Sequence, residues 1–264
     1  MHLDEGWPET MQATFSLTFM GVGGGLSPEL GNNNCLLEST DRKHNLLIDC
    51  GPLTAASLKM ADQLSAVQAA FITHVHDDHV GGLELWAQLN RYVYRQRPKL
   101  IFPDTLFEEL WDHGLRGGLE RVNAPAGQGD RVVLDAYFDV HRLLDDGHLE
   151  LEGLPVLTPI PTLHVLGKPS YSFFLGEDIY YSSDTQYLPP ALGPTGKPLR
   201  AIFQDCQLFD APHMVHTSLA QLARDMTPEL KRITRLMHYN HAPDVDAAAL
   251  GFIGFVERGQ PIWL

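Results

Sequence analysis

Residues 73 to 79 read Thr73-His74-Val75-His76-Asp77-Asp78-His79, which packs three imidazoles and two carboxylates into seven positions. The apolar run Ala69-Ala70-Phe71-Ile72 before it reads as a short buried strand, and Gly81-Gly82 separates it from a helical segment beginning at Leu83. A strand that opens into a ligand-rich loop and then a helix limits the fold more than any other stretch, because the loop must bring its side chains together. A divalent transition ion takes neutral imidazole and carboxylate ligands at about 2.0–2.2 Å, and a loop at a strand end can aim several of them inward. If the loop stays extended, His74 and His76 point to one side by the period of two, while Asp78 and His79 curl toward a second point a few ångströms away. Two ions about 3.5–4 Å apart clamp both the attacking and the leaving oxygen of a displacement. A lone histidine or a His-x-His pair recurs by chance, whereas alternated ligands behind a buried strand are far more specific.

The order His74-Val75-His76-Asp77-Asp78-His79 fits His-x-His-x-Asp-His, and on this motif the chain resembles the metallo-β-lactamase superfamily, along most of its length. The resemblance implies further ligands from a downstream histidine, a strand-end aspartate and a final histidine. The matching positions are His164 in Pro161-Thr162-Leu163-His164, Asp184 in Tyr181-Ser182-Ser183-Asp184-Thr185, and His238 in Leu236-Met237-His238-Tyr239; each follows an apolar or β-prone run. It also implies an α/β fold of four αββα layers, two mixed sheets packed face to face with helices outside. In such a fold His74, His76 and His164 hold one metal, Asp78, His79 and His238 hold the other, and Asp184 bridges. Zinc is the expected ion, with manganese or iron admitted by the all-His/Asp ligation. Two such ions lower the pKa of water from about 15.7 toward 7, giving hydroxide near neutral pH.

The length of 264 residues suits one domain spanning 1–264, with residues 1–12 as an N-terminal extension. No apolar run is long enough to span a bilayer, and the start of the chain, with Asp4, Glu5 and Glu9, lacks the basic and apolar regions of a signal peptide; the expected compartment is the cytoplasm. Cys35, Cys50 and Cys206 are odd in number and scattered, which points to buried free thiols rather than a disulfide framework or a thiolate site. The net charge of −14 weighs against a long nucleic acid, whose affinity comes from many Lys and Arg contacts to phosphate, and toward a small-molecule substrate. A small anion stays open, since bound metals offset the charge of Asp78 and Asp184. Dimers are common in the family, so a homodimer is expected on that ground.

Residues 14–20 alternate like a strand and run into Gly21-Val22-Gly23-Gly24-Gly25. A dinucleotide fingerprint needs a helix straight after such glycines; Ser27-Pro28-Glu29-Leu30-Gly31-Asn32-Asn33-Asn34 is turn chemistry instead. The glycine turn resembles the first hairpin region of ribonuclease Z and its phosphodiesterase relatives, without the basic residues that group uses for an RNA end. Further strands are expected at 35–38, 45–48, 99–102, 131–140, 148–156, 170–174, 179–183, 201–204 and 235–237, and the segment 252–264 finishes the sheet. Helices are expected at 53–64, 83–95, 105–115, 219–224 and after Thr227-Pro228-Glu229. Glycines at 114–118 and 124–129 mark a flexible surface connection, with a loop over the site as the alternative.

Six other residues carry expectations of their own. Asp49 in Asp49-Cys50-Gly51 resembles the family's turn at the floor of the site, where it orients a ligand imidazole by its far nitrogen; an Asx-turn explains it almost as well. His216-Thr217-Ser218 looks like a permuted form of the His-Ser-Thr element of ribonuclease Z and its phosphodiesterase relatives. That resemblance makes His216, beside Asp78, a catalytic candidate that protonates the departing alcohol oxygen, while a helix cap at Thr217 or Ser218 is the even alternative. His241 rivals His238 as ligand or proton-transfer partner. Lys168 is close enough in sequence to His164 to meet a substrate anion, although a solvated lysine is the commoner outcome. His141 and His148 have no motif around them and read as surface or strand residues.

The expected function is therefore that of a dinuclear metallohydrolase, directed first at a small or cyclic phosphodiester because the glycine turn and His216 lean to the ribonuclease Z side. Lactone, ester or β-lactam hydrolysis on the same core is the alternative. A metal-binding sensor without turnover is the third class, against which the intact ligand set counts.

Overall fold

A computed structural model describes residues 13–123, 129–144, 146–211 and 213–264 of the chain; the expected extension at 1–12 and all but Gly129 of the glycine-rich stretch 124–129 lie outside the described residues. Seven strands form one sheet in the spatial order Pro261–Trp263, Phe15–Phe19, Cys35–Ser39, Asn45–Ile48, Ala69–Phe71, Lys99–Pro103 and Asp139–Leu143. Its first three junctions are antiparallel and its last three parallel. Six strands form the second sheet, Gly254–Phe255, Thr234–Met237, Ala201–Asp205, Ile179–Tyr181, Tyr171–Leu175 and Leu157–Pro161. Here the first three junctions are parallel and the last two antiparallel.

Runs of consecutive apolar residues decide the layering, because a strand covered on both faces needs apolar side chains at both parities. Leu46, Ile48, Ala69 and Phe71 face the second sheet, while Leu47 and Ala70 point the other way, under the helices. Between the sheets, Phe19, Phe71, Phe173, Tyr181 and Phe203 fill the core, with the Phe173 and Tyr181 rings stacked at 4.7 Å. Burying each such ring contributes about 1.5–3 kcal/mol. Outside the first sheet lie Pro52–Met60 and Leu83–Leu89, whose Ala55, Leu58, Leu83 and Trp86 cover it. Outside the second, Leu222 of Leu219–Asp225 packs with Leu236 and Phe252. Four layers, αββα, result. No helix among the described residues is long and apolar enough to cross a membrane.

Three expected elements differ. The span 131–140 is not one strand: Gly129–Arg131 pairs elsewhere, a single turn at Leu134–Ala136 buries Leu134, and only Asp139–Leu143 joins the sheet. The span 148–156 is mostly loop, interrupted by Gly153 at φ 73°, and the strand is Leu157–Pro161. The glycines at 114–118 are helical, since Leu110, Trp111, Leu115 and Leu119 are buried along the wide-turned helix Glu108–Leu115 and its continuation Arg116–Leu119. A Cβ on Gly118 would come within 2.3 Å of the carboxylate of the exposed Glu84, whose side chain would have to swing aside. Ser218 and Thr227 both cap helices, accepting from Gln221 N and Leu230 N. The three cysteines are free and buried.

Candidate metal centre

Parallel strands present all their C-terminal ends at one edge, where open α/β sheets place their ligands, and both sheets turn that edge to the same place. Asp49 follows Ile48, His74 follows the strand ending at Phe71, Asp184 follows the strand ending at Tyr181, Asp205 ends its own strand, and His238 follows Met237. The chain must turn away sharply at these ends. Asp49 (φ 61°), Ser183 (φ 49°) and His238 (φ 60°) are accordingly left-handed, a strain of order 1–3 kcal/mol each for residues with a Cβ.

His74 and His76 precede a helical turn, Asp77–Val80, which swings Asp78 and His79 to a different side and leaves Asp77 exposed. His74 Nε2 lies 3.1 Å from His76 Nδ1, which lies 3.1 Å from His164 Nε2. Asp184 Oδ2 closes this group at 3.7 Å from His74 Nε2 and 3.6 Å from His164 Nε2. A second group shares the same carboxylate: His79 Nε2 is 3.4 Å from Asp184 Oδ1 and 3.4 Å from Asp78 Oδ2. His238 Nε2 is 3.4 Å from Asp184 Oδ2 and 3.5 Å from Asp78 Oδ2. Four ligands at about 2.0–2.1 Å in a tetrahedron stand about 3.3–3.4 Å apart, so both groups have the size of a cation cage.

Two buried atoms give an independent test. His79 Nε2 and Asp184 Oδ1 have no hydrogen-bond partner, a cost of about 1–3 kcal/mol each if left so. Both belong to the second cage, where a cation would satisfy them. The residues present therefore fit a pair of divalent ions. All seven expected ligands, His74, His76, Asp78, His79, His164, Asp184 and His238, converge here. His241 does not: it is exposed, with its Nδ1 2.8 Å from the Asn240 amide.

The far nitrogens are held by a surrounding shell. His79 Nδ1 donates to Asp49 Oδ2 at 2.7 Å, and the same carboxylate accepts Thr73 Oγ1 at 2.8 Å and Thr73 N at 2.8 Å. His164 Nδ1 donates to Val215 O at 2.8 Å. Such bonds fix the tautomer and leave the inner nitrogen free to ligate. Asp49 is thus an orienting carboxylate rather than the acceptor of a turn.

Asp205, which sequence reasoning left without a role, is wholly buried at the centre of this shell. Its Oδ2 accepts His216 Nδ1 at 2.8 Å and Thr185 N at 2.9 Å, and its Oδ1 lies 3.2 Å from His238 Nδ1. One carboxylate therefore orients both a cage histidine and His216, whose ring centroid is 4.7 Å from His164 and 4.8 Å from His238. The only local signal is a carboxylate at the end of an apolar strand, as at Asp49 after Ile48, which by itself does not reveal its partners.

Electrostatics follow the geometry. Burial pushes the Asp184 carboxyl up, but the imidazoles of His238, His79 and His74 outweigh it and hold the group well below the carboxylate range. Burial drives His74 well below the usual imidazole value. Burial also depresses His216, yet the Asp205 carboxylate more than offsets this and raises it.

The glycine-rich turn closes the second cage. A Cβ on Gly24 would stand 3.0 Å from His238 Cε1, and one on Gly25 3.2 Å from the Asp78 carboxylate. The buried asparagines after it are scaffolding: Asn34 accepts from Gly51 N at 2.7 Å and donates to Asp78 O at 3.0 Å.

Among solved structures, the metallo-β-lactamase fold protein YhfI of Bacillus subtilis matches with a TM-score of 0.69 at 17% identity, covering 94% of this chain and 98% of that one. The short form of human tRNase Z matches with a TM-score of 0.63 at 19% identity, covering 94% and 98%. At these identities the likeness concerns the fold, which is the metallo-β-lactamase fold. An Anti-Pycsar protein Apyc1 of Paenibacillus harenae is 37% identical over 246 residues, 91% of this chain and 96% of the relative. The family described as Anti-Pycsar protein Apyc1 matches residues 15–262, and the chain belongs to it.

Proposed function

We propose that this metal-dependent phosphodiesterase hydrolyses a small or cyclic phosphodiester with two divalent ions, zinc first and manganese or iron as alternatives. The observation that carries this reading is the Asp184 carboxylate, shared between two cages of cation size. Such ions, when bound, act as Lewis acids on phosphoryl oxygens and make water acidic enough to attack near neutral pH.

The chain's own residues supply the rest. His74, His76 and His164 would hold one ion, Asp78, His79 and His238 the other, with Asp184 common to both. Asp49, Val215 O and Asp205 keep the far nitrogens of His79, His164 and His238 turned outward. His216 has Nδ1 engaged by Asp205, which leaves Nε2 as the atom that gives a proton to the departing alkoxide.

The net charge of −14 supports a small substrate over a long nucleic acid. We also infer a cytoplasmic location, one domain and a homodimer. The test is to load purified protein with zinc, manganese or iron, measure metal per chain, and assay a cyclic nucleoside monophosphate, a lactone and a β-lactam. Two ions per chain with turnover of the cyclic diester alone is the expected result; turnover of the lactone alone overturns it.

A further inference from the structure

Lys168 belongs to neither cage, yet the fold fixes it beside the first. Val165-Leu166-Gly167-Lys168 forms a reverse turn in which Lys168 N donates to Val165 O at 3.0 Å. Gly167 sits at φ 82°, a conformation glycine takes without a Cβ penalty. Pro169 then stiffens the backbone, Ser170 bridges His74, and Tyr171 N donates to Thr73 O at 3.0 Å. The turn is pinned between His164 on one side and the ligand loop on the other.

Its tip brings Lys168 Nζ to 3.4 Å from Val75 O, the carbonyl between His74 and His76. The bond is long and the side chain exposed, so releasing it costs little. Lys168 also bears electrostatically on the half-buried His76 ring. Several cations of the chain sit against carboxylates, as Lys99 does with Asp139, Arg142 with Asp104 and Arg200 with Asp178, while others such as Arg97 and Arg91 are held by carbonyls far from the cages. Among the described residues no carboxylate lies within ion-pair distance of Lys168, although Glu109 lines the same narrow crevice.

An ammonium without an ion pair, held against the loop that carries His74 and His76 and lining one crevice with His74, on a chain of net charge −14, gives an anionic substrate a favourable point of approach. We propose that Lys168 receives the charge of the non-bridging phosphoryl oxygens and sets a preference for anionic over neutral phosphoesters. This rests on the reading of the chain as a phosphodiesterase. A lysine suits the task because its ammonium is a compact charge on a flexible stem that can leave Val75 O and follow the substrate.

The test compares Lys168→Met and Lys168→Arg with wild type, all metal-loaded. Turnover of a cyclic nucleoside monophosphate and of a neutral phosphotriester is measured across ionic strength, and binding of inorganic phosphate by calorimetry. The expected result for Lys168→Met is a KM about tenfold higher for the diester at low salt, a flatter salt dependence and similarly weaker phosphate binding. The kcat stays within about threefold, the triester is unaffected, and Lys168→Arg restores most of the loss. Unchanged KM, salt slope and phosphate affinity overturn the proposal, as does equal loss on diester and triester. Should wild type leave the diester intact while Lys168→Met still weakens phosphate binding, the anion role stands and the phosphodiesterase reading falls.

Discussion

The parallel strands of the first sheet carry a His–Asp pair at each end, and the two pairs differ in almost everything but residue type. At the strand starts, His141 Nε2 lies 3.0 Å from Asp139 Oδ2, which also takes Lys99 Nζ at 2.9 Å; all three side chains are roughly half exposed. At the strand ends, His79 Nδ1 lies 2.7 Å from Asp49 Oδ2 with both side chains at 1% exposure. The first group is half exposed and its members bond to one another. The second is surrounded by left-handed residues and leaves His79 Nε2 and Asp184 Oδ1 unpartnered. Residue type does not make a site; buried convergence that the protein cannot complete by itself does.

Replacing the shared carboxylate should separate the two ends most. Asp184→Ala removes a ligand from both cages, and losing several kcal/mol of charge stabilisation lowers kcat/KM on the order of 10³-fold. Activity within tenfold of wild type would break the two-cage reading outright. Metal removal comes next. A chelated protein should melt about 5–10 °C lower, because binding stabilises only the native state and the buried Asp78 and Asp184 lose their counter-charge. Differential scanning fluorimetry with and without added zinc reads this directly; coincident curves would mean that no ion completes the second cage.

The ligand end was legible in the sequence because its pattern is local. His74 to His79 advertise themselves within one loop, and His164, Asp184 and His238 each follow a strand-like run. The strands at 45–48, 99–102 and 201–204 were legible for a related reason, since burial on both faces writes unbroken apolar runs. Asp205 was not, because its partners, His216 and His238, are 11 and 33 residues away and meet it only when two strand ends are brought together. The failure at 131–140 has another cause: Val132, Val133 and Leu134 read as strand by composition, but Leu134 buries itself from a single helical turn instead. Helix at 114–118 was hidden because three glycines read as a breaker, whereas the buried Leu110, Trp111, Leu115 and Leu119 around them hold the segment helical.

Intermediate effects belong to the orienting carboxylates. Asp49→Asn and Asp205→Asn each keep shape but weaken the hold on a ligand imidazole, for an expected 10–100-fold loss in metal affinity or activity. They should differ in kind. Asp205 also holds His216, so its variant loses kcat beyond what saturating metal restores, whereas excess metal rescues most of the Asp49 variant. Equal rescue of both would remove His216 from proton transfer.

The smallest effect is expected at the opposite end of the strands. His141 and Lys99 hold the Asp139 carboxyl down at about 2, and a folded value below the unfolded one stabilises only where the carboxylate is ionised. That contribution is present above the ordinary aspartate value and disappears as pH falls toward about 2. Because the pair is exposed and screened, Asp139→Asn should cost no more than about 0.5 kcal/mol at neutral pH, with no change in metal content or turnover. Denaturant unfolding of wild type and variant between neutral and strongly acidic pH should show the two curves converging on the acid side. A variant that lost metal, as Asp49→Asn should, would mean the two ends of the sheet are coupled, and the contrast between them would no longer hold.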